Sequence, residues 1–361
     1  MTSMKDHRPL AGMRRLLATM ALAWAAASNG AAPADALAPP ALPADGGRLA
    51  GDAMPGAFFQ SPAGPGPFPA VIVLGGSEGG DSSARRMAPL LLDQGYAVLG
   101  LPYYSPDWGS GSAFPQLPAA FHDIPLDTLE TARDWLRRQP AVARSKIGLW
   151  GVSKGAEFAL AGASRIDGFD AVVAIVPSDV IWEGWGPGTT EGQSSSFSWR
   201  GKPLPFVPYV GMSAEIAKFG QPGQAPRLRT PHDAGRNAHP SRVEAARIRV
   251  EAIDEPVLVA GGDRDDTWAS GPMAQRIAER RAACGLITVS VVALEAGHGL
   301  SGNGAQFTEG TFRYSAADLA AQAIVWPATL AFFAEHLQGR REVVYPAGTT
   351  VVRATAAPDP C

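Results

Sequence analysis

Three side chains set far apart in the chain, Ser153, Asp265 and His298, are of the types needed for nucleophilic acyl chemistry. Ser153 stands in Gly151-Val152-Ser153-Lys154-Gly155, between a short apolar run ending at Trp150 and an Ala-rich, helix-forming stretch. A strand, a sharp turn and a helix lift such a hydroxyl above a sheet. The flanking glycines are needed because strand and helix pass so closely that a side chain there would clash. A serine hydroxyl is a poor nucleophile at neutral pH, so it requires a histidine to take its proton and a carboxylate to fix that histidine's tautomer. His298 lies in Gly297-His298-Gly299 directly after a late β run, a setting shared by none of the other five histidines. The acid is expected in the loop after Pro256–Ala260, where three aspartates compete. Asp265, three residues after Gly262 and three before Trp268, is the expected partner, Asp266 is the alternative, and Asp263 reads as a turn residue.

An oxyanion needs backbone donors aimed at it before charge develops. One is expected from the Lys154 amide and the other from the loop Gly75-Gly76-Ser77-Glu78-Gly79-Gly80, with Ser77 N–H first and Gly76 next. The Lys154 side chain reads as solvated. Gly76, Trp182 and Trp185 are candidate pocket residues, and Trp182, Trp185, Trp199 and Phe206 fit either an acyl pocket or the core of a cap.

These groups must be positioned by alternating strands and helices. Near-continuous apolar runs at Ala70–Leu74, Tyr96–Leu101, Lys146–Trp150, Ala171–Val176, Pro256–Ala260 and Ile287–Leu294 predict strands buried on both faces of a parallel sheet. Leu126, Leu129, Ala132, Trp135 and Leu136 recur at helical spacing, with Pro125 suited to the first turn, and Tyr314–Leu337 reads as the last helix. Between about 182 and 242 the pattern dissolves into Gly, Ser, Pro and scattered aromatics, as expected of a cap insertion. His232 and His239 fall there and read as solvated loop residues. The expected organisation is a leader and linker over 1–36, a catalytic domain over 45–340 and a tail over 341–361.

The chain has 361 residues, 46% of them hydrophobic, and a net charge of -3. That balance excludes a disordered chain and gives no concentrated basic surface for nucleic acid. No cofactor motif and no Cys or His spacing for a metal is apparent. Lys5, Arg8, Arg14 and Arg15 precede the apolar run Leu16–Ala27 and then small residues, the order of a secretory signal. The run is shorter than the ~20 residues of a membrane span. Export to the periplasm or beyond is therefore expected, with an uncleaved membrane anchor the alternative; Ala27 and Ala36 are among the candidate cleavage points. The mature form is expected to hold no stable membrane span, and the sequence does not specify an oligomeric state. Of the two cysteines, Cys284 is read as a half-buried thiol and Cys361 as part of a loose tail, although one bridge between them is open in an oxidising compartment.

Taken together, VIVLGGSEGG at 71–80, DTLETARDWLRRQP at 127–140, IGLWGVSKGAE at 147–157, GKPLPFVPY at 201–209 and the Asp265 and His298 loops resemble the catalytic domain of the acyl-CoA thioesterase and bile-acid-CoA:amino-acid N-acyltransferase family. The resemblance covers most of residues 68–337. It implies an α/β-hydrolase fold, a mostly parallel sheet with helices on both faces and a cap, related to the dienelactone hydrolases. It also implies that Ser153, Asp265 and His298 act as nucleophile, acid and base on a small-molecule acyl ester or thioester. Members that conjugate acyl groups to amino acids carry cysteine at the nucleophile, so Ser153 favours water as acceptor. Transfer to an amine or alcohol is the alternative reading, and a binding protein on a retired hydrolase scaffold the third.

Overall fold

The computed structural model describes residues 47–353, apart from 50, 52, 107–113, 219–220, 294, 307 and 310–311. The leader and its cleavage points lie outside the described residues, as does Leu294 at the end of one expected strand.

All six expected strands form, and they assemble side by side. They are β2 (Phe68–Leu74), β3 (Ala97–Gly100), β5 (Val142–Val152), β6 (Ala171–Ile175), β9 (Val257–Gly262) and β10 (Thr288–Ala293). With β1 (Phe58–Gln60) and β13 (Thr349–Val352) they make an eight-stranded sheet in the order β1-β3-β2-β5-β6-β9-β10-β13. The six inner strands pair in parallel, and the two edge strands pair antiparallel to β3 and β10. Residues 349–352, expected in a loose tail, thus belong to the sheet. Their run Thr-Thr-Val-Val is too short to stand out from the surrounding polar chain.

Side chains alternate across the sheet, so one strand feeds two cores. Ile72, Leu149, Val172 and Val259 face α2 (Thr128–Arg137), α3 (Lys154–Ala163) and α7 (Ser270–Ala283), whereas Val71, Val173, Leu258 and Val291 face α1 (Ser82–Leu92) and α8 (Ala316–His336). α8 is long and apolar enough to cross a membrane by length and composition, but Phe332 and Phe333 are fully buried in the second core. Pro125, expected in the first turn of α2, instead lies in β4 (Ile124–Pro125), where the following Leu126 N–H bonds Ser198 O.

The chain leaves the sheet after β6 and returns at β9. This excursion holds β7 (Phe197–Trp199), β8 (Lys202–Pro203), α4 (Met212–Ile216), α5 (Arg229–Ala238) and α6 (Pro240–Ala245). β4, β7 and β8 form a second small sheet, and β11 (Thr308–Glu309) pairs with β12 (Phe312–Arg313) in a hairpin. The excursion has its own core of Val180, Trp182, Val207, Tyr209 and Met212, closed by Trp268 and Met273 from the main domain. Asp179, 3% exposed, pins it by ion pairs of 2.8 Å to Arg236 on α5 and 2.6 Å to Arg276 on α7. Burial raises the Asp179 carboxyl, but the hydrogen bonds and charges of the two arginines outweigh it and hold the group below the usual carboxylate range.

His232 is not a solvated loop residue. It lies on α5, 5% exposed, with its ring edge-on to Trp182 and Tyr209 and its Nδ1 2.7 Å from Leu228 O. The Gly/Pro/Asn-rich composition concealed a helix whose one apolar face docks on the cap core. Burial pushes the His232 ring down to about 3. Cys284, at the C-cap of α7, is disulfide-bonded rather than a thiol; Cys361 lies outside the described residues.

Candidate active site

The nucleophile position is set by backbone geometry. β5 ends at Val152 and α3 starts at Lys154, so Ser153 alone makes the turn, at φ 56° and ψ -121°. That conformation is strained for a residue with a Cβ and persists only where its surroundings over-determine it. Here the Ser153 N–H is held by Ile175 O at 2.9 Å. A Cβ at Gly151 would sit 2.2 Å from Gly155 O, and one at Gly155 would sit 2.3 Å from Gly75 O. Both glycines are therefore obligatory for the close approach, as their spacing predicts.

The three distant side chains converge. His298 Nε2 lies 2.9 Å from Ser153 Oγ, and His298 Nδ1 lies 2.7 Å from Asp265 Oδ2. Asp265 is fully buried and accepts from Thr267 N–H (2.8 Å), Trp268 N–H (3.3 Å) and the Ser270 hydroxyl (2.5 Å). A carboxylate surrounded by donors takes its fourth hydrogen bond from Nδ1–H, which leaves Nε2 as the acceptor for the serine proton. Asp266 is exposed, and the Asp263 carboxylate lies against Gly271 at the start of α7, so Asp265 is the aspartate brought to the imidazole. Trp268 stands edge-on to the His298 ring at 5.7 Å and donates its indole N–H to Val176 O.

The His298 loop is gripped from α8. Asp318 Oδ1 accepts the Gly297 N–H at 2.7 Å, while Gln322 donates to Gly299 O at 2.6 Å and accepts from Gly304 N–H at 3.1 Å. Asp318 also closes the capping box with Ser315 that begins the helix. Asp318 and Gln322, four apart on one helix face, and Ser270, five after Asp265, escaped the sequence reading. Only the i, i+4 spacing hinted at the first two.

Two backbone donors remain near Ser153. Lys154 N–H belongs to the first turn of α3 and has no intrahelical acceptor. Gly76 N–H is engaged by Glu78 Oε1 at 3.0 Å, whereas Ser77 N–H has no hydrogen-bond partner among the described residues. Gly76 itself lies against the nucleophile: a Cβ there would be 3.1 Å from Ser153 Cβ.

Two side-chain expectations are corrected. The Lys154 ammonium is not solvated: it is buried, 2.7 Å from Glu157 Oε2 and 2.8 Å from Ser196 Oγ, and lies over the Phe121 and Phe197 rings. Glu157 Oε1 accepts the Trp182 N–H at 3.0 Å, so the pair ties α3 to the cap. Burial pushes the lysine down and the glutamate up, each opposed by its partner's charge. Trp182 has no exposed surface and belongs to the cap core, stacked on Tyr209, so it does not line a pocket. Trp185 is half-buried beside Phe121 and Tyr104.

A parallel sheet in this strand order, with a serine on a strained turn after its central strand and a relay reaching from the later loops, defines an α/β-hydrolase. Residues 124–302 match the family model described as BAAT / Acyl-CoA thioester hydrolase C terminal, and residues 56–184 match that of the dienelactone hydrolase family. Over these residues the chain is similar to the acyl-CoA thioesterase and N-acyltransferase family, as its motifs imply. It is 30% identical to acyl-coenzyme A thioesterase 1 of Rattus norvegicus over 66% of this chain and 50% of the relative. It is 31% identical to acyl-coenzyme A amino acid N-acyltransferase 2 of Rattus norvegicus over 62% of this chain and 47% of the relative. The chain spans about half the length of these curated relatives. Among solved structures, the 2,6-dihydroxy-pseudo-oxynicotine hydrolase aligns at 18% identity and a TM-score of 0.48, over 80% of this chain and 66% of that one.

Proposed function

We propose that this protein is a serine hydrolase that cleaves a carboxylic thioester or ester through an acyl-enzyme. The observation that carries the reading is the unbroken Ser153–His298–Asp265 hydrogen-bonded relay, with links of 2.9 and 2.7 Å. Ser153 Oγ attacks the carbonyl carbon while its proton passes to His298 Nε2, and Asp265 stabilises the imidazolium that forms. The tetrahedral oxyanion is held by the Lys154 and Ser77 N–H groups, because Gly76 N–H is committed to Glu78. The imidazolium then gives its proton to the leaving thiolate or alkoxide, the acyl-enzyme remains, and His298 deprotonates the water that cleaves it.

The residue at the nucleophile supports hydrolysis over transfer, and the relatives' names support an acyl thioester as the substrate class. The order of residues 1–36 supports export, with an uncleaved anchor as the alternative; an exported enzyme would meet esters or thioesters other than those of coenzyme A. A fluorophosphonate probe should modify the wild-type chain once and leave Ser153→Ala untouched. Labelling of Ser153→Ala at the wild-type rate would overturn the reading, and ester and thioester panels with and without added amines separate hydrolysis from transfer.

A further inference from the structure

The loop between β2 and α1 holds a carboxylate that the hydrolytic cycle does not use. Glu78 Oε1 accepts the Gly76 N–H at 3.0 Å and the Ser83 hydroxyl at 2.5 Å, and Arg86 donates to Ser83 Oγ at 2.8 Å. Glu78 Oε2 has no hydrogen-bond partner among the described residues. It lies near the reacting hydroxyl's residue, since a methyl group added at Gly76 would stand 2.8 Å from Oε2 and 3.1 Å from Ser153 Cβ. Of the neighbouring charges, Lys154 is paired with Glu157, Asp265 is surrounded by donors, and Arg86 reaches the carboxylate through the Ser83 hydroxyl, on Oε1 rather than Oε2.

We propose that Glu78 is a specificity-determining residue, its carboxylate selecting against substrates with an anionic group close to the scissile carbonyl and in favour of neutral or cationic ones. The inference rests on the serine-hydrolase reading and narrows its substrate class. A second negative charge brought within several ångströms of Oε2 in a partly desolvated site is repelled strongly enough to cost about tenfold or more in rate. An acyl donor whose charge is remote from the carbonyl escapes most of that penalty.

Two matched series test it. Butyryl thioesters of thiocholine, 2-mercaptoethanol and mercaptoacetate vary the charge of the thiol half, and 2-hydroxyethyl thioesters of butyrate and succinate vary the acyl half. The wild type is expected to cleave the anionic member of at least one series with a kcat/KM about tenfold below its neutral member, a gap that narrows at high salt. Glu78→Gln keeps an acceptor for Gly76 and Ser83 and is expected to close most of that gap by raising the anionic member alone. Equal changes across all members would mark a merely structural role and overturn the proposal, as would a wild type with no charge discrimination in either series. If Glu78→Gln fails to fold, the salt dependence of the wild-type gap decides alone. Modification of Ser153 by the fluorophosphonate with no discrimination sinks this inference only, whereas no cleavage and no modification removes the hydrolase reading as well.

Discussion

Ser153 must accept an unfavourable φ to hold its hydroxyl within reach of His298, and two glycines make that possible. Gly155→Ala would drive a methyl group into the backbone oxygen of Gly75, so it is expected to cost several kcal/mol and to yield little soluble protein, measured by urea unfolding. Ser153→Ala leaves the fold intact and should lower kcat by about a thousandfold or more. Asp265→Asn keeps the shape but no longer fixes Nδ1–H, so kcat should fall about 10⁴-fold with little change in melting temperature. The relay was legible in the sequence because each member sits where a buried strand runs into a short, Gly-bearing loop. The Lys154 ion pair was not, since Lys154 and Glu157 look like an ordinary exposed i, i+3 pair until Ser196 and Trp182 arrive from the cap and bury it.

At the scale of elements, that pair joins α3 to the excursion between β6 and β9. Removing one partner strands the other charge in a dry site, so Lys154→Met and Glu157→Gln should each cost about 3–5 kcal/mol, and the double replacement distinctly less than the total of the two. Additive losses in denaturant melts would show that the two groups do not act as a unit. His232 on α5 offers a pH test of how tightly the cap is seated. Its folded value of about 3 lies below that of an unfolded histidine, so the unfolded chain binds the extra proton between about pH 3 and 6.5. Stability from this group is full above that window and is lost as pH falls through it, with a slope of about 1.4 kcal/mol per pH unit. His232→Phe should remove that slope from the difference between wild-type and variant melts. The central strands were legible as unbroken apolar runs and the cap as an insertion over about 182–242, whereas the cap's inner elements were not: they are short, and what orders them is contact between aromatic residues far apart in the chain, such as Trp182 with Tyr209 and His232 with Trp268.

For the whole molecule, the sheet runs from one antiparallel edge at Phe58–Gln60 to another at Thr349–Val352, with the parallel strands protected between them. α8 supplies much of one face of this block and also grips the loop that carries His298, so the catalytic geometry depends on a helix well outside the cap. Asp318→Ala removes the acceptor of Gly297 N–H and half of the capping box, and should cost about 2–3 kcal/mol in stability while lowering kcat more than it changes KM. The last strand bears on how the gene is expressed. Ending the polypeptide at Gln338, just past the final helix, would uncover the backbone donors and acceptors of Thr288–Val291 that Thr349–Val352 now occupies. Such a shortened chain would still carry every residue of the relay, yet would present a ready template for intermolecular sheet and accumulate in inclusion bodies.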